Sequence, residues 1–434
     1  MIQTSEYQKR RKQLMKIAGQ NSITILSSRP EFIRNGDVHH YYRQDSDFYY
    51  LSGFNEPDAM LVLIPSQKGQ QQVLFCREAN PKKMIWDGPM SGTQGAIDDY
   101  GFDAAYDIKE IDRRLPLLIE GCEKVCFKIG DNDEFDQKVA AWVKSIATRK
   151  GQKSKAPEEF MSISHIIHDM RLYKSPAEIK CMKKSADIAA DAHIRMMQSC
   201  RAGMYEYDLQ AEYQYHLTKH QSHSSYPPII GSGENGNILH YINNNQMMND
   251  GDLVLIDAGA EYDFYASDIT RTFPVNGRYS ARQKDLYDVV LQAQTDAIAA
   301  VQIGNHWNEF HDVAVRTISQ GLLDLKIIKG QLEQVLEEKT YANFYMHMTG
   351  HWLGLDVHDC GDYRVDDLWV ELEENMVLTV EPGLYISENS KAPKKWRGMG
   401  IRIEDDIQVS KKGPVVLSKN VPKTTEQIEQ IMKG

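Results

Sequence analysis

The 434-residue chain is short of cysteine, of long apolar runs and of positive charge, and each shortage removes a class of protein. Six cysteines, at positions 76, 122, 126, 181, 200 and 360, are too scattered for a disulfide framework; only Cys122 and Cys126 lie close together. That usage fits a reducing compartment, so a cytoplasmic location is expected. No apolar stretch approaches the roughly 18 residues of a membrane span. The N-terminal MIQTSEYQKRRKQLMKIAG has basic residues but no apolar run behind them, so no export signal and no membrane partner is expected. Lys+Arg number 50 against 61 Asp+Glu, a net charge of -11. That balance is a poor match for a phosphate backbone or an anionic bilayer, and nucleic acid is not an expected partner. There is no low-complexity tract and no strict repeat.

What is present is a globular composition, 41% hydrophobic and 26% charged. At this length two or three domains are expected, each with its own core. Tyr7, Leu14 and Ile17 are at helical spacing, and the basic run Lys9 to Lys12 between them reads as the solvated face of a helix lying on that core. Through residue 170 short β-like runs (ITILSS at 23–28, AMLVLIP at 59–65, QQVLFC at 71–76, VCFKIG at 125–130) alternate with helical stretches, an α/β pattern. A polar, breaker-rich segment spans 149–159, and Ser175-Pro176-Ala177-Glu178 forms a capping box with proline at the first helical position. The domain boundary is therefore set near 172, giving domains 1–172 and 173–434. Beyond it, strand-like runs (SSYPPIIGSG, NILHYI, DLVLIDAGAEYDFYASDITRTFPV) precede helical segments at 281–301 and 308–325, and β-like runs resume at VLTVEPGLYI and GIRIEDDIQVS. This order predicts an α+β domain.

The string Gly231-Ser232-Gly233-Glu234-Asn235-Gly236 satisfies GxGxxG but is followed by a strand-like run where a helix is required, so it reads as a turn. Cys122 and Cys126 lack a second ligand pair at zinc spacing and read as structural thiols. Asp257 and Asp268 sit in apolar β-runs, where a carboxylate is costly unless paired or metal-bound. A turn centred near Tyr262 and Asp263 would set them directly opposite each other, so that one protonates or a cation lies between them. For that pair alone, a surface hairpin with two solvated aspartates is the alternative. Glu381 and Glu404 repeat the anomaly at the ends of apolar runs, and His351 adds an imidazole. Four carboxylates with one histidine supply ligands for two divalent ions of the manganese, magnesium or zinc type, toward the harder end. His347 and His351 are four apart, but Met348 stands where a zincin has its glutamate base, and that motif is rejected. His240 and His358 lie in apolar, β-rich surroundings and join the candidate set; the other histidines read as structural or surface.

The runs GSGENGNILHY, GDLVLIDAGAEYDFYASDITRTFPVNG, FYMHMTGHWLGLDVHD, VLTVEPGLYI and RGMGIRIEDD resemble the aminopeptidase P branch of the pita-bread metallopeptidases, a family shared with prolidase and methionine aminopeptidase. The likeness extends through YYRQDSDFYYLSGFNEPDAMLVLIP and MRLYKSPAEI and covers most of the chain. It implies a C-terminal pita-bread α+β domain with a curved antiparallel sheet, behind a smaller creatinase-like α/β domain. It also implies hydrolysis of the Xaa-Pro bond in proline-containing peptides by two divalent ions, manganese in this branch, in a homo-oligomer (dimer or tetramer). By the same resemblance Asp257 would hold one metal, Asp268 and Glu404 would bridge both, and His351 with Glu381 would complete the other. His240, His347 and His358 match substrate-handling histidines, Arg402 a buttress of the bridging carboxylate, and Tyr385 an active-site tyrosine. Trp86 matches a tryptophan that a neighbouring subunit supplies. Segment 364–374 lacks the basic loop expected before VLTVEPG, so no substrate contact is assigned to it. Prolidase, restricted to Xaa-Pro dipeptides, is the nearest alternative; a metal-free creatinase-like hydrolase or a binding module would be expected to lack ligands that are present here.

Overall fold

The computed structural model describes residues 2–66, 69–148 and 155–433; of the polar segment 149–159, positions 149–154 lie outside the described residues. The chain divides into two units, Ile2–Arg171 and Leu172–Gly434.

The first unit is built on a six-stranded sheet of β1 (Ser22–Ser27), β2 (Met60–Leu63), β3 (Gln72–Cys76), β4 (Ala104–Asp107), β5 (Lys124–Phe127) and β6 (Glu159–Ser162). The order is β4-β3-β2-β1-β5-β6, antiparallel at β1–β2 and β2–β3 and parallel elsewhere. The central strands are buried along their length, as expected for a sheet covered on both faces. Ile23, Ile25, Val62, Phe75 and Val125 meet Val139 and Ile146 of the helix Asp133–Ala147 in the core.

The helix Thr4–Ala18 departs from the expectation for its basic run. Tyr7 and Leu14 are buried, but Ile17 faces solvent and Arg10 and Arg11 go inside. Helical spacing alone could not show that Arg11 has acceptors waiting: it donates to Gln72 Oε1 at 2.6 Å and to the carbonyls of Leu51, Tyr100 and Gly101 at 3.0–3.1 Å.

In the second unit, the helices Pro176–Ser199 and Glu206–Lys219 pack as a pair, as do Ala281–Ala300 and Glu309–Asp324, and each pair borders strands. Ser175 and Glu178 cap each other at the first helix: Ser175 Oγ accepts from the Glu178 N–H at 3.4 Å and Glu178 Oε2 from the Ser175 N–H at 2.8 Å. Strands β7 (Ile229–Ser232), β8 (Leu253–Asp257) and β9 (Thr270–Pro274) form one antiparallel sheet. Further along, β10 (Val377–Val380) pairs β13 (Asp405–Gln408), and β11 (Gly383–Ile386) pairs β12 (Met399–Arg402), both antiparallel. With the paired helices, these strands make the pita-bread α+β domain.

Register corrects one expectation. Asp257 pairs with Thr270, not Asp268, because the turn falls at Asp263–Phe264, both at positive φ. Backbone bonds Ala258→Ile269 (3.0 Å) and Ser267→Ala260 (2.9 Å) carry the same register across the gap. A slip of two residues preserves the face, so Asp257 and Asp268 still project to one side. Gly259 is required here: a Cβ would lie 1.8 Å from the Ser267 carbonyl oxygen. The expected strand NILHYI is absent. Gly233–Asn237 is a 3₁₀ turn and 238–242 is turn and irregular backbone: Leu239 and Tyr241 alternate inward with exposed Ile238, His240 and Ile242, but among the described residues the segment joins no sheet. Of the GxGxxG glycines, Gly231 serves a close approach instead, since a Cβ there would lie 2.8 Å from the Asn235 carbonyl.

One buried ion cluster yields a test of the first unit. Asp47 contacts Arg171 Nη1 at 2.7 Å, Lys128 Nζ at 3.0 Å and His168 Nε2 at 3.8 Å. Burial pushes its carboxyl up, but His168, Arg171 and Lys128 together hold it well below the usual carboxylate range. Because the folded pKa lies below the unfolded value of ~3.9, the stabilisation is fully present above about pH 5 and is lost as pH falls toward the folded value. Asp47→Ala is expected to cost about 3–5 kcal/mol at pH 7 and to flatten this acid dependence. Native-state hydrogen exchange of the β1 and β5 amides in the full chain checks both.

Candidate metal centre

Four strand ends deliver the acidic groups. Asp257 closes β8, Asp268 and Thr270 straddle the start of β9, Glu381 follows β10, and Glu404 lies between β12 and β13. The segment carrying His351 is neither helix nor regular strand. It runs beside β10 through backbone bonds Glu381→Thr349 (2.8 Å), Thr379→His351 (2.9 Å) and Leu353→Val377 (3.0 Å). Gly350 permits this approach, since a Cβ there would sit 2.0 Å from Thr379 O.

The result is a cleft of about 390 Å³ lined by His240, Asp257, Asp268, His347, His351, His358, Glu381, Arg402 and Glu404, with Leu239, Met348 and Tyr363. Asp268, His351 and Glu404 each bring a ligand atom within 4.8 Å of the others. His351 Nε2 lies 3.3 Å from Asp268 Oδ2 and 3.7 Å from Glu381 Oε1. Its Nδ1 faces the Trp352 carbonyl at 2.9 Å, which leaves Nε2 turned toward the carboxylates as the atom that could hold a metal. Asp257 joins Asp268 through the Tyr226 hydroxyl, which contacts Asp257 Oδ1 and lies 2.5 Å from Asp268 Oδ1.

Arg402 corrects a second expectation. Its Nη2 meets Asp257 Oδ2 at 2.6 Å, its Nη1 the Tyr385 hydroxyl at 2.9 Å, and its Nε Thr270 Oγ1 at 3.2 Å. Glu404 is served instead by the Thr270 hydroxyl at 2.6 Å. Thr270 faces Asp257 across the sheet, so the guanidinium that reaches over Thr270 arrives at Asp257. His347 belongs to the same chain of contacts, its Nε2 2.9 Å from the Tyr385 hydroxyl. His240 and His358 are exposed on the cleft wall, not set in apolar surroundings as the sequence reading has them. The His358 ring lies 4.3 Å from that of His351, edge to face. Trp86 belongs to the other unit, 87% exposed on the short helix Pro81–Asp87. Within segment 364–374, Arg364–Val365 and Leu368–Trp369 form an exposed hairpin, while Leu372 is buried in the core.

Like charges and burial dominate the electrostatics. Burial first, then the neighbouring carboxylates, push Glu404 well above its ordinary value; burial and Asp257 push Asp268 up; burial raises Glu381 to about 7. His351 goes the other way. Burial would lower it, but Asp268 and Glu381 raise it to about 9. Oxygen donors in excess, one imidazole with a fixed tautomer, and more buried negative charge than Arg402 and His351 offset fit a hard or borderline divalent cation.

Sequence reasoning missed Tyr226, Thr270 and Asp406. Asp406 accepts from the Asp268 backbone N–H at 3.1 Å and stiffens that ligand. Alternation carried a signal for two of them, because Thr270 is two residues from Asp268 and Asp406 two from Glu404. Tyr226, in SSYPPII, had no such signal.

A strand-borne carboxylate cluster with one histidine, on a two-fold pattern of helix pairs and sheets, defines a metal-dependent hydrolase. The chain belongs to metallopeptidase family M24, whose profile matches residues 180–411; residues 7–127 match the aminopeptidase P N-terminal domain. It is 41% identical to the Xaa-Pro aminopeptidase of Escherichia coli K12 over 99% of this chain and 98% of that one. It is 35% identical to human Xaa-Pro aminopeptidase 3, over 98% of this chain and 85% of that protein. The structure of Pseudomonas aeruginosa aminopeptidase PepP superposes with a TM-score of 0.98 at 48% identity, covering 100% of this chain and 98% of that one. Zinc-substituted E. coli aminopeptidase P in complex with product matches with a TM-score of 0.96 at 41% identity, over 100% and 98% of the two chains.

The electrostatics predict that added metal and removal of one negative charge each relieve the same repulsion. Mn²⁺ or Zn²⁺ added to metal-stripped protein should raise the thermal midpoint, by about 2.7 kcal/mol of stabilisation at a hundredfold excess over Kd. Asp268→Asn should raise the midpoint of the stripped protein and abolish most of that metal-dependent rise. Scanning calorimetry with and without metal checks both.

Proposed function

We propose that the chain removes the N-terminal residue from peptides with proline in second position, by metal-dependent hydrolysis of the Xaa-Pro bond. The observation that carries this reading is the convergence of Asp257, Asp268, His351, Glu381 and Glu404 on one cleft in an M24 chain. Full-length likeness to Xaa-Pro aminopeptidases supports the substrate class. In the proposed assignment Asp257, Asp268, His351, Glu381 and Glu404 would hold two divalent ions, with manganese as the metal. Bound cations supply Lewis acidity, lowering the pKa of a water from ~15.7 toward 7 and polarising a carbonyl.

The remaining work falls to the chain's own side chains. A bond to proline is a tertiary amide, so its nitrogen offers no N–H to recognise and must gain a proton as the C–N bond breaks. Glu381, buried against the cleft, carries that proton from the attacking water to the proline nitrogen. Burial and Arg402 hold His347 down to about 4, and burial with His351 and His240 lowers His358, so both serve as neutral imidazoles. His240 and His358 orient the proline or donate to the oxygen of the tetrahedral species. His347 sets the Tyr385 hydroxyl, which burial raises to about 12 and keeps protonated. Leu239, Met348 and Tyr363 give the cleft an apolar surface for a pyrrolidine ring.

Two coarser features extend the proposal. Ile85 and Trp86 are 82% and 87% exposed side by side, which supports a homo-oligomer, dimer or tetramer, in which a neighbouring copy covers them. Six free cysteines, five of them buried, support a cytoplasmic location, and no described helix is long and apolar enough to cross a membrane.

The test is hydrolysis of an Xaa-Pro-Yaa peptide before and after chelation. Activity should vanish with the metal and return on its restoration. Glu381→Ala should lose metal and roughly 10²- to 10⁴-fold in kcat; full activity in that variant would refute its role. Preference for Xaa-Pro dipeptides over longer peptides would move the assignment to prolidase.

A further inference from the structure

Glu206 is a fully buried carboxylate outside the metal cluster, and the chemistry above does not use it. It opens the helix Glu206–Lys219, whose positive end favours an anion. A buried carboxylate is costly unless it is hydrogen-bonded, and here both oxygens are taken up by neutral donors of a single segment. Oε1 accepts from the Ser232 N–H at 2.8 Å and from Asn235 Nδ2 at 3.0 Å. Oε2 accepts from the Tyr241 hydroxyl at 2.8 Å and from the Gln246 N–H at 2.9 Å. The Glu206 N–H in turn donates to the Gln246 carbonyl at 3.0 Å. One side chain thus gathers both ends and the middle of 232–246, although no strand runs through 233–246. This segment carries His240 to the cleft wall. Tyr241, the next residue, is turned inward: its hydroxyl is on Glu206, and it shares a buried apolar cluster with Ile229, Leu255 and Tyr385. His240 itself is exposed, so the place of its ring depends on how its backbone is held.

We propose that Glu206 is a positioning residue that, through Tyr241, fixes His240 at the cleft. This rests on the reading of His240 as a substrate-handling group. Glu206→Gln keeps the shape of the side chain but replaces one oxygen by an NH₂ group, so one of the two pairs of donors then meets a donor. The segment shifts to relieve that contact, and His240 moves with it. A displacement of such a group by about 1 Å costs up to ~10²-fold in rate.

A double-mutant cycle on the metal-loaded, full-length protein tests the role, reading kcat/KM on an Xaa-Pro-Yaa peptide. Glu206→Gln alone should lose roughly ten- to a hundredfold, but less than about twofold when His240 is already alanine, because residues acting through one another are not additive. Equal losses in both backgrounds, or no loss from Glu206→Gln alone, would overturn the proposal. Full activity in His240→Ala would defeat the assignment of His240 itself, and the proposal with it. If Glu206→Gln lowers the thermal midpoint, Tyr241→Phe, which keeps the ring and removes one hydroxyl, goes through the same cycle. Its loss should likewise disappear in the His240→Ala background, and a loss that persists there would overturn the proposal.

Discussion

Mutual repulsion among buried carboxylates is the constraint to which the rest of the C-terminal unit answers. Asp257, Asp268, Glu381 and Glu404 end their strands in one cleft, with Arg402 and His351 as the cationic groups placed against them. Two like charges ~4 Å apart repel by about 4 kcal/mol at an effective dielectric of 20. Burial and that repulsion push Glu404 and Asp268 toward protonation, while Asp268 and Glu381 favour the protonated form of His351. A divalent cation removes the conflict, and this is why the cluster reads as a metal centre and not as a strained surface.

Holding such a cluster requires a frame that cannot relax. β8 and β9 are hydrogen-bonded through Asp257–Thr270, and Glu404 is tied to the same place by its N–H to the Thr270 carbonyl at 3.1 Å. Behind it, Arg271 donates to the Glu404 carbonyl at 2.6 Å and to Asp405 Oδ1 at 2.8 Å, while Lys423 and Gln294 each reach Asp405 Oδ2 at 2.8 and 2.7 Å. The acidic triplet Glu404-Asp405-Asp406 is thus divided by strand alternation: Glu404 turns to the cleft, Asp405 to the Arg271 network, and Asp406 accepts from the backbone of Asp268. Gly259 and Gly350 complete the frame by letting backbones approach where no side chain fits.

The four carboxylates of the cluster were legible because carboxylates at the ends of apolar runs violate burial rules, and period-two alternation then gives their face. Even a register wrong by two residues left Asp257 and Asp268 on the correct side, since the side-chain period forgives even slips. Partner assignments were not legible. Whether Arg402 meets Asp257 or Glu404 depends on which strand lies across from β12, a long-range fact that no local pattern encodes. Tyr226 was invisible for the same reason. The run NILHYI shows the opposite failure, where an alternating, β-like run takes up turn and irregular backbone after the 3₁₀ turn Gly233–Asn237. Arg10 and Arg11 show that members of a basic run can be buried when carbonyls distant in sequence, from the helix Ser46–Ser52 and from Tyr100, supply their acceptors.

The most direct measurement is stepwise Mn²⁺ titration of the metal-stripped chain, followed by electron paramagnetic resonance and by hydrolysis of an Xaa-Pro-Yaa peptide in the same samples. The account predicts no hydrolysis at zero metal, uptake of two ions per chain, and an exchange-coupled signal that grows in step with activity. Undiminished hydrolysis in the stripped protein, or failure to take up any ion, would contradict it.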